Sequence, residues 1–381
     1  MTHPIRVLLL CDRLDISGGV ERFVCALANH LAGEGMDVAV GSVDTQRAQI
    51  RYALNASVRV LTGAARRSSD DAAATSSRVA RAWRLLRTQW RVGRALARVI
   101  RSDRPDVVVL NGLTTACSVL VVDRRFATRT ICCDHNHFTA RSALWRQLRQ
   151  CLYPKVAAVV SLTQADEPRF RALNPHTQVI YNASSLRADA PSLPDKALVL
   201  AVGRHVAQKG FDLLVKAWAA VTKSMPEARL RIAGDGPLRA EHERIAKELG
   251  VNDRIEWIAP TEQIERHYRD AAVFVLSSRY EGMPLALLEA QALGVPSVAF
   301  DCPTGPGEII NEQTGRLVKL GDINALAAAI IELLSSPALR RQMAHAAIER
   351  SRKYFSPQEH DRRWTALVRD VALRHAYGAA A

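Results

Sequence analysis

The sequence predicts an α/β protein with two doubly wound parallel sheets. Three observations carry that expectation. Short apolar, β-branched runs alternate with longer helical patterns almost from end to end. Several of these runs are unbroken, as strands covered on both faces are. The alternation also restarts after a small, polar, proline-bearing stretch near the middle, Ala183-Ser-Ser-Leu-Arg-Ala-Asp-Ala-Pro-Ser-Leu-Pro194.

The length of 381 residues suits two domains rather than one. An apolar share of 48% is enough for two cores without a disulfide or metal staple. In the first half, strands are expected at 5–11, 37–42, 106–110, 129–133 and 156–161. In the second they are expected at 197–202, 228–233, 254–258, 272–277 and 296–300. Helical patterns such as 20–34, 211–223, 238–249 and 285–293 lie between them, which implies right-handed crossovers. The first domain is expected to end at residue 187 and the second to begin at 188. Residues 64–77 read as a loop, and no short-period repeat supports a solenoid.

Composition narrows the function. The seven cysteines are odd in number and lack CxxC spacing, so neither a disulfide framework nor a zinc cluster is supported. They read as buried small hydrophobes in a reducing, cytoplasmic setting. The apolar stretch Ile5 to Cys11 is too short for a signal-peptide core and reads as a first buried strand. The longest uncharged run, Val107 to Val122, is broken by Asn111 and Gly112, so no membrane-spanning helix is expected. Charge is uneven: residues 1–190 hold 27 Lys/Arg against 15 Asp/Glu (net +12), and residues 191–381 hold 25 against 23 (net +2), which together make +14. An anionic partner for the first half follows from that imbalance.

Four segments carry chemistry. The first strand–helix junction contains Gly18-Gly19, where backbone amides can approach a ligand and a helix N-terminus favours an anion; it serves equally as a tight turn. It lacks the G-x-G-x-x-G dinucleotide pattern, which demotes a nicotinamide enzyme. In Val202-Gly-Arg-His-Val-Ala-Gln-Lys-Gly210, Arg204 and Lys209 flank a short loop at the carboxyl edge of a sheet, where open α/β sheets bind ligands. Two fixed cations there suit a diphosphate leaving group, although both could be solvated loop charges. Ile232-Ala-Gly-Asp-Gly-Pro-Leu238 is a further glycine turn, with Pro237 at an expected first helical position.

The fourth segment is Ser277-Ser-Arg-Tyr-Glu-Gly-Met-Pro-Leu-Ala-Leu-Leu-Glu289, in which Pro284 is expected to start a helix. Its two carboxylates, Glu281 and Glu289, are separated by seven residues. At a rise of ~1.5 Å per helical residue they stand on the order of 10 Å apart. That exceeds the spacing of the acid pairs that hydrolyse glycosides. Two carboxylates accepting hydrogen bonds from opposite ends of one long, hydroxyl-rich ligand fit better.

Taken together, GGVER, GRHVAQKG, GDGP and EGMPLALLE, in this order, resemble the nucleotide-sugar glycosyltransferases of the GT-B fold, specifically the retaining family 4. The resemblance covers nearly the whole chain. Asp301-Cys-Pro-Thr-Gly-Pro-Gly-Glu-Ile-Ile310 is similar to the branch making bacterial surface polysaccharide and lipopolysaccharide. The resemblance implies two Rossmann-like domains facing a cleft, with residues 355–381 returning to the first. It implies that Arg204 and Lys209 bind the donor diphosphate, and that Glu281 touches donor-sugar hydroxyls. The amides of Gly282, Met283, Pro284 and Leu285 would lie near the phosphates, and Glu289 would hold the ribose. Gly18 and Gly19 would approach the diphosphate from the first domain. His135 matches the histidine placed beside the donor sugar, whereas His137 does not. The expected donor is a UDP-hexose or UDP-N-acetylhexosamine, with GDP-mannose the alternative and a non-catalytic nucleotide-sugar sensor a third reading. The nucleotide sugar is a substrate, and neither a cofactor nor a metal is expected. One departure is Ala183, where relatives commonly carry proline.

Arginines at 78, 81, 84, 87, 91, 94, 98, 101 and 104 recur in steps of three and four, placing a basic stripe along a helix near Trp83, Leu86, Trp90 and Leu96. It reads either as a solvated face or as a surface for anionic lipid headgroups, where a lipid-linked acceptor would be presented. No nucleic-acid motif accompanies the charge.

Overall fold

The computed structural model describes residues 3–16, 18–63, 78–194 and 196–378, with side chains in 78–86 described at Arg84 and Leu86. The expected loop at 64–77 lies outside these residues, as do the side chains of Arg78, Arg81 and Trp83. The chain divides into two compact units, Met1–Ile180 with Asp361–Ala381, and Tyr181–His360. The division falls ahead of the expected break after 187, because the polar stretch beginning at Tyr181 is bound to the second unit. There Tyr181 packs edge-on against Phe355 and Arg352 holds the Ala188 carbonyl at 2.9 Å.

In the first unit the chain runs β1 (Arg6–Leu10), α1 (Gly19–Gly33), β2 (Asp37–Ser42), β3 (Arg59–Thr62), α2 (Arg78–Asp103), β4 (Val107–Asn111) and α3 (Leu113–Val122). It continues through β5 (Thr130–Cys133), α4 (Ala143–Leu152), β6 (Ala158–Ser161), α5 (Glu167–Arg171) and β7 (Thr177–Val179). The seven strands are parallel and ordered β3-β2-β1-β4-β5-β6-β7. The chain therefore lays strands outward from β1 in one direction, then returns and builds outward from β4 in the other. Loops following β1 and β4 run to opposite sides at that reversal, the carboxyl-edge position where open α/β sheets bind ligands.

The second unit repeats the scheme with β8 (Leu198–Val202), α6 (Phe211–Ser224), β9 (Arg229–Ala233), α7 (Arg239–Glu248), β10 (Ile255–Ile258), α8 (Ile264–Asp270) and β11 (Val273–Leu276). After these come α9 (Leu285–Ala292), β12 (Ser297–Asp301), α10 (Pro306–Ile309), β13 (Gly315–Lys319), α11 (Ile323–Ser335) and α12 (Pro337–Tyr354). Its six parallel strands are ordered β10-β9-β8-β11-β12-β13, so the reversal falls between β8 and β11.

Interior strands are apolar because helices cover both of their faces. Leu8 and Leu10 lie fully buried with Val108, Leu110, Ala116 and Leu120. Val199, Val273 and Ile232 do the same with Leu214, Trp218 and Ile330. The strands absent from the sequence expectation, β3, β7 and β13, are all at sheet edges. Each is only partly covered, so charged or polar residues such as Arg59, Gln178 and Arg316 interrupt the apolar pattern.

Helix α13 (Pro357–Gly378) carries Trp364, fully buried and edge-on to Phe23 of α1 at 5.6 Å. Alongside, His30 meets the Thr365 hydroxyl at 2.8 Å and Arg369 meets Glu34 at 3.2 Å. Residues from Asp361 onward thus complete the core of the first unit.

Helix α2 presents Arg87, Arg91, Arg94 and Arg98 to solvent, with Trp90 48% and Leu86 44% exposed beside them. Val92, Leu96, Ala97 and Ile100 face inward. Arg104 falls just past the helix, at φ 51. Among the described residues, no single helix is long and apolar enough to cross a membrane.

Close packing of α2 on α3 makes Gly93 irreplaceable: a Cβ there would run into the Ser118 carbonyl oxygen. Alanine at a helix-interior position normally gains about 1 kcal/mol over glycine. Here overpacking wins, and Gly93→Ala is expected to lower stability by about 1–3 kcal/mol in denaturant titrations. Gly33→Ala, with nothing within 4 Å, should leave stability unchanged or slightly higher.

Candidate functional site

At the reversal in the second unit, the loop after β8 and the loop after β11 are fastened to one another. Gly210 takes φ 62, and a Cβ on it would strike the Ser277 carbonyl oxygen. Ser277 Oγ donates to the Lys209 carbonyl at 2.9 Å, and Arg279 N donates to the Gln208 carbonyl at 2.8 Å. The Arg279 guanidinium makes a two-point pair with Asp212 at 2.7 and 2.8 Å, which holds the Asp212 carboxyl below the usual range.

This fastening brings Lys209 and Glu281 together, 72 residues apart in sequence, at 2.7 Å. Glu281 is 5% exposed; its Oε1 also accepts from Ser278 Oγ at 2.6 Å, and Gln208 Nε2 reaches its Oε2 at 3.4 Å. A carboxylate offers about four acceptor positions. Oε1 is saturated by Lys209 and Ser278, so Oε2 is the oxygen left for another hydroxyl. Arg204 is exposed and has no acidic partner among the described residues.

Behind Glu281, Thr304 Oγ1 donates to its carbonyl at 2.6 Å, and Asn182 Nδ2 donates to the Met283 carbonyl at 3.1 Å. Gly282, Met283 and Pro284 are buried and Leu285 half-buried. No hydrogen bond is made by the amides of Gly282, Met283 and Leu285 among the described residues. Pro284 lies at the cap of α9 rather than inside it. Lacking an N–H, it drops out of the expected set of donors and lends only its fixed φ to the turn. Glu289, 3% exposed, accepts from the Tyr268 hydroxyl at 2.8 Å. Pro237 likewise precedes its helix, because the Leu238 amide is taken by the His205 carbonyl and α7 starts at Arg239.

Beneath Arg204 lies a feature the sequence did not single out. His205 is fully buried, its Nδ1 is 2.9 Å from Nδ1 of His242, and its Nε2 has no partner among the described residues. Phe211 and Trp257 pack on the ring at 5.0 and 5.8 Å. One histidine must donate and the other accept, so the pair has no room for two imidazolium ions. The His205 backbone takes part in the GDGP turn, with its N donating to Asp235 O at 2.9 Å.

The first unit contributes three groups near its own reversal. Gly18 caps α1 in an extended conformation, and the Glu21 carboxylate folds back to where a Gly18 side chain would stand. The positive end of α1, including Gly19, is thus already met by an anion. His135 follows β5 and is half-buried; its Nε2 is 2.9 Å from Oδ1 of Asn111, the last residue of β4. Phe23 stands edge-on to the His135 ring at 4.8 Å. Burial pushes the His135 imidazole down to about 4, leaving it neutral at pH 7. The preceding Asp134 is buried and anchored by Arg149 at 3.2 Å and Tyr153 at 2.6 Å, so the backbone leading to His135 is fixed. His137 turns instead to Thr139 Oγ1, 3.1 Å away.

Asn111 escaped the sequence reading, where it served only to interrupt an apolar run. Its signal was available: Asn111-Gly112 ends the strand adjacent to β1, at the reversal point. Of the seven cysteines, six are buried and Cys151 is exposed, and none forms a disulfide. Burial pushes the thiols of Cys11, Cys132 and Cys133 up, which makes them poor nucleophiles. Among the described residues, no three His, Cys, Asp or Glu side chains come together as a metal-ligating group.

Two doubly wound units in one chain are the architecture of the GT-B transferases. Residues 18–183 match the glycosyl transferase 4-like domain and residues 183–350 match glycosyl transferases group 1. The chain belongs to the glycosyltransferases of this class. It is 29% identical to the amylovoran biosynthesis glycosyltransferase AmsD of Erwinia amylovora, over 95% of this chain and 99% of that protein. Sucrose-phosphate synthase from Thermosynechococcus elongatus shares the fold with a TM-score of 0.78, at 21% identity over 96% of this chain and 99% of that one. Anabaena HepE, solved with UDP and glucose, has a TM-score of 0.74 at 16% identity, over 96% of this chain and 100% of that one.

The His205–His242 pair gives stability a pH signature. Burial, helped by the facing His242 and by Arg239 and opposed by Asp235 and Glu243, lowers His205 to about 4. His242 is lowered chiefly by burial too, with Arg279 adding to the drop and Asp212 and Glu241 opposing it. An unfolded histidine titrates near ~6.5, so the unfolded chain binds more protons below that pH. Stability is therefore lost as pH falls from about 6.5 towards 4. His205→Leu should flatten this loss, read as a smaller drop in melting temperature between pH 7.5 and 5; an identical drop would refute the assignment.

Proposed function

We propose that this chain is a retaining transferase that moves a hexose or N-acetylhexosamine from a UDP-sugar to a glycan or lipid-linked glycan during surface polysaccharide synthesis. The observation that carries the proposal is the set of amides at Gly282, Met283 and Leu285 left unpaired among the described residues, in the loop that carries Glu281 and its Lys209 partner, with Arg204 exposed. Buried backbone donors seldom stay unpaired, and a cation with aligned amides is a setting for phosphate oxygens. UDP bound to HepE supports the choice of base, and AmsD supports the choice of pathway class.

On this reading Arg204 and Lys209 hold the diphosphate and absorb its growing charge as the anomeric carbon–oxygen bond breaks. Glu281 Oε2 accepts a sugar hydroxyl, and Glu289 accepts from the ribose. His135 also faces the sugar, and Gly18 and Gly19 meet the diphosphate once Glu21 turns away. The acceptor oxygen bonds to the anomeric carbon on the face the phosphate leaves, and the acceptor proton passes to the departing phosphate oxygen. Positive charge comes from side chains and helix amides, so no metal ion is required.

Thermal shifts test the donor. UDP is expected to raise the melting temperature more than GDP, and Arg204→Ala with Lys209→Ala should abolish that shift and turnover of UDP-sugars together. A larger shift with GDP would replace the donor by GDP-mannose. UDP binding with neither transfer nor hydrolysis of any UDP-sugar would make the chain a sensor.

We also place the chain at the cytoplasmic face of an anionic membrane, through α2. Residues 78–102 contain no acidic residue, and Trp90 and Leu86 lie exposed among the arginines. Flotation at low salt should recover the protein with anionic vesicles and not with neutral ones. Replacing Arg87, Arg91, Arg94 and Arg98 by Gln should abolish recovery, whereas equal recovery with both vesicle types would remove the idea.

A further inference from the structure

The geometry points to Asn111 as the residue that sets which nitrogen of His135 carries the proton, making His135 a hydrogen-bond acceptor toward the bound sugar. The inference rests on the reading of His135 as a donor-sugar contact. Asn111 is 2% exposed, and its Nδ2 faces the Leu10 carbonyl at 3.2 Å and the Val109 carbonyl at 3.5 Å. Carbonyl oxygens only accept, so the amide nitrogen belongs on that side and Oδ1 belongs against His135. Oδ1 cannot donate either. The proton between Oδ1 and Nε2, 2.9 Å apart, must therefore sit on Nε2.

A neutral imidazole with Nε2–H has a bare lone pair at Nδ1. His135 is neutral at pH 7, since burial lowers it to about 4. Nδ1 makes no hydrogen bond to any described residue, while the Phe23 edge and the anchored Asp134 fix the ring's direction. What meets Nδ1 must bring a proton. A sugar hydroxyl or an acetamido N–H satisfies it, whereas a carboxylate at that position would face a lone pair. His135 thus selects a neutral, hydroxyl-presenting sugar over a uronate, and it neither supplies nor removes a proton during transfer.

The experiment uses the full chain labelled with 15N-histidine, with His135→Gln to assign the resonances. Long-range proton–nitrogen correlations at pH 7.5 should show His135 with Nε2 protonated and Nδ1 bare. Asn111→Leu should mix or invert the tautomers. Asn111→Asp should keep Nε2 protonated and raise the pH at which His135 titrates, since a carboxylate favours the imidazolium. Hydrolysis is followed on whichever of UDP-glucose, UDP-galactose or UDP-N-acetylglucosamine the unaltered protein turns over fastest. With Asn111→Leu, kcat/KM on that sugar should fall about tenfold. A proton on Nδ1 of the unaltered protein overturns the inference, and so does an unchanged tautomer in Asn111→Leu. If no UDP-sugar is turned over, the donor assignment fails, and the nitrogen spectra still decide the role of Asn111.

Discussion

The near-contact of Gly210 with the end of β11 is the constraint on which the second unit's chemistry rests. Parallel strands β8 and β11 are neighbours in space, yet two complete strand–helix units separate them in sequence. Their trailing loops would diverge without a fastening. A left-handed residue without a side chain lets the first loop lie against the Ser277 carbonyl, after which Arg279 and Ser277 stitch the two together. Only then do Lys209 and Glu281 meet. Any larger residue at 210 would part the loops and pull apart the Lys209–Glu281 and Arg279–Asp212 pairs that join them.

The first of these pairs has a second effect. Lys209 and Glu281 hold each other in place before any ligand arrives, which reduces the side-chain freedom lost on binding. Arg204, by contrast, is exposed and without an acidic partner among the described residues, so it must be ordered by what it binds. The same edge therefore combines a pre-set element with an adaptable one. Asp134 plays a comparable part in the first unit: burial pushes its carboxyl up while Arg149 and Tyr153 pull it down, and the compromise fixes the backbone before His135.

Much of this was legible in the residues. Interior strands announced themselves because burial on both faces demands unbroken apolar runs, as in Val107-Val-Val-Leu110. The edge strands β3, β7 and β13 did not, since a strand covered on one side can carry Arg59 or Arg316 and still pair. Glu281, Lys209 and Arg204 stand out in the sequence because charged residues beside glycine at strand ends are chemically conspicuous, and the structure pairs the first two. Asn111 and His205 do not stand out. Their roles depend on partners at positions 135 and 242, supplied by distant elements, and no local pattern encodes a contact between two loops. The Glu21 carboxylate over Gly18 was equally hidden, because a first-turn acid looks the same whether it points to solvent or folds back on its own cap.

Helix α13 has a consequence for how the polypeptide is made. Trp364 sits in the core of the first unit beside Phe23, although some 340 residues of chain are synthesised between them. While a ribosome is still translating the second unit, the nascent first unit has an open apolar seam along α1 that only α13 can close. The second unit, drawn from one continuous stretch, can finish its core before α13 is made. The half that begins emerging first is thus the half completed last, and it is the one exposed to chaperones and proteases in the interval.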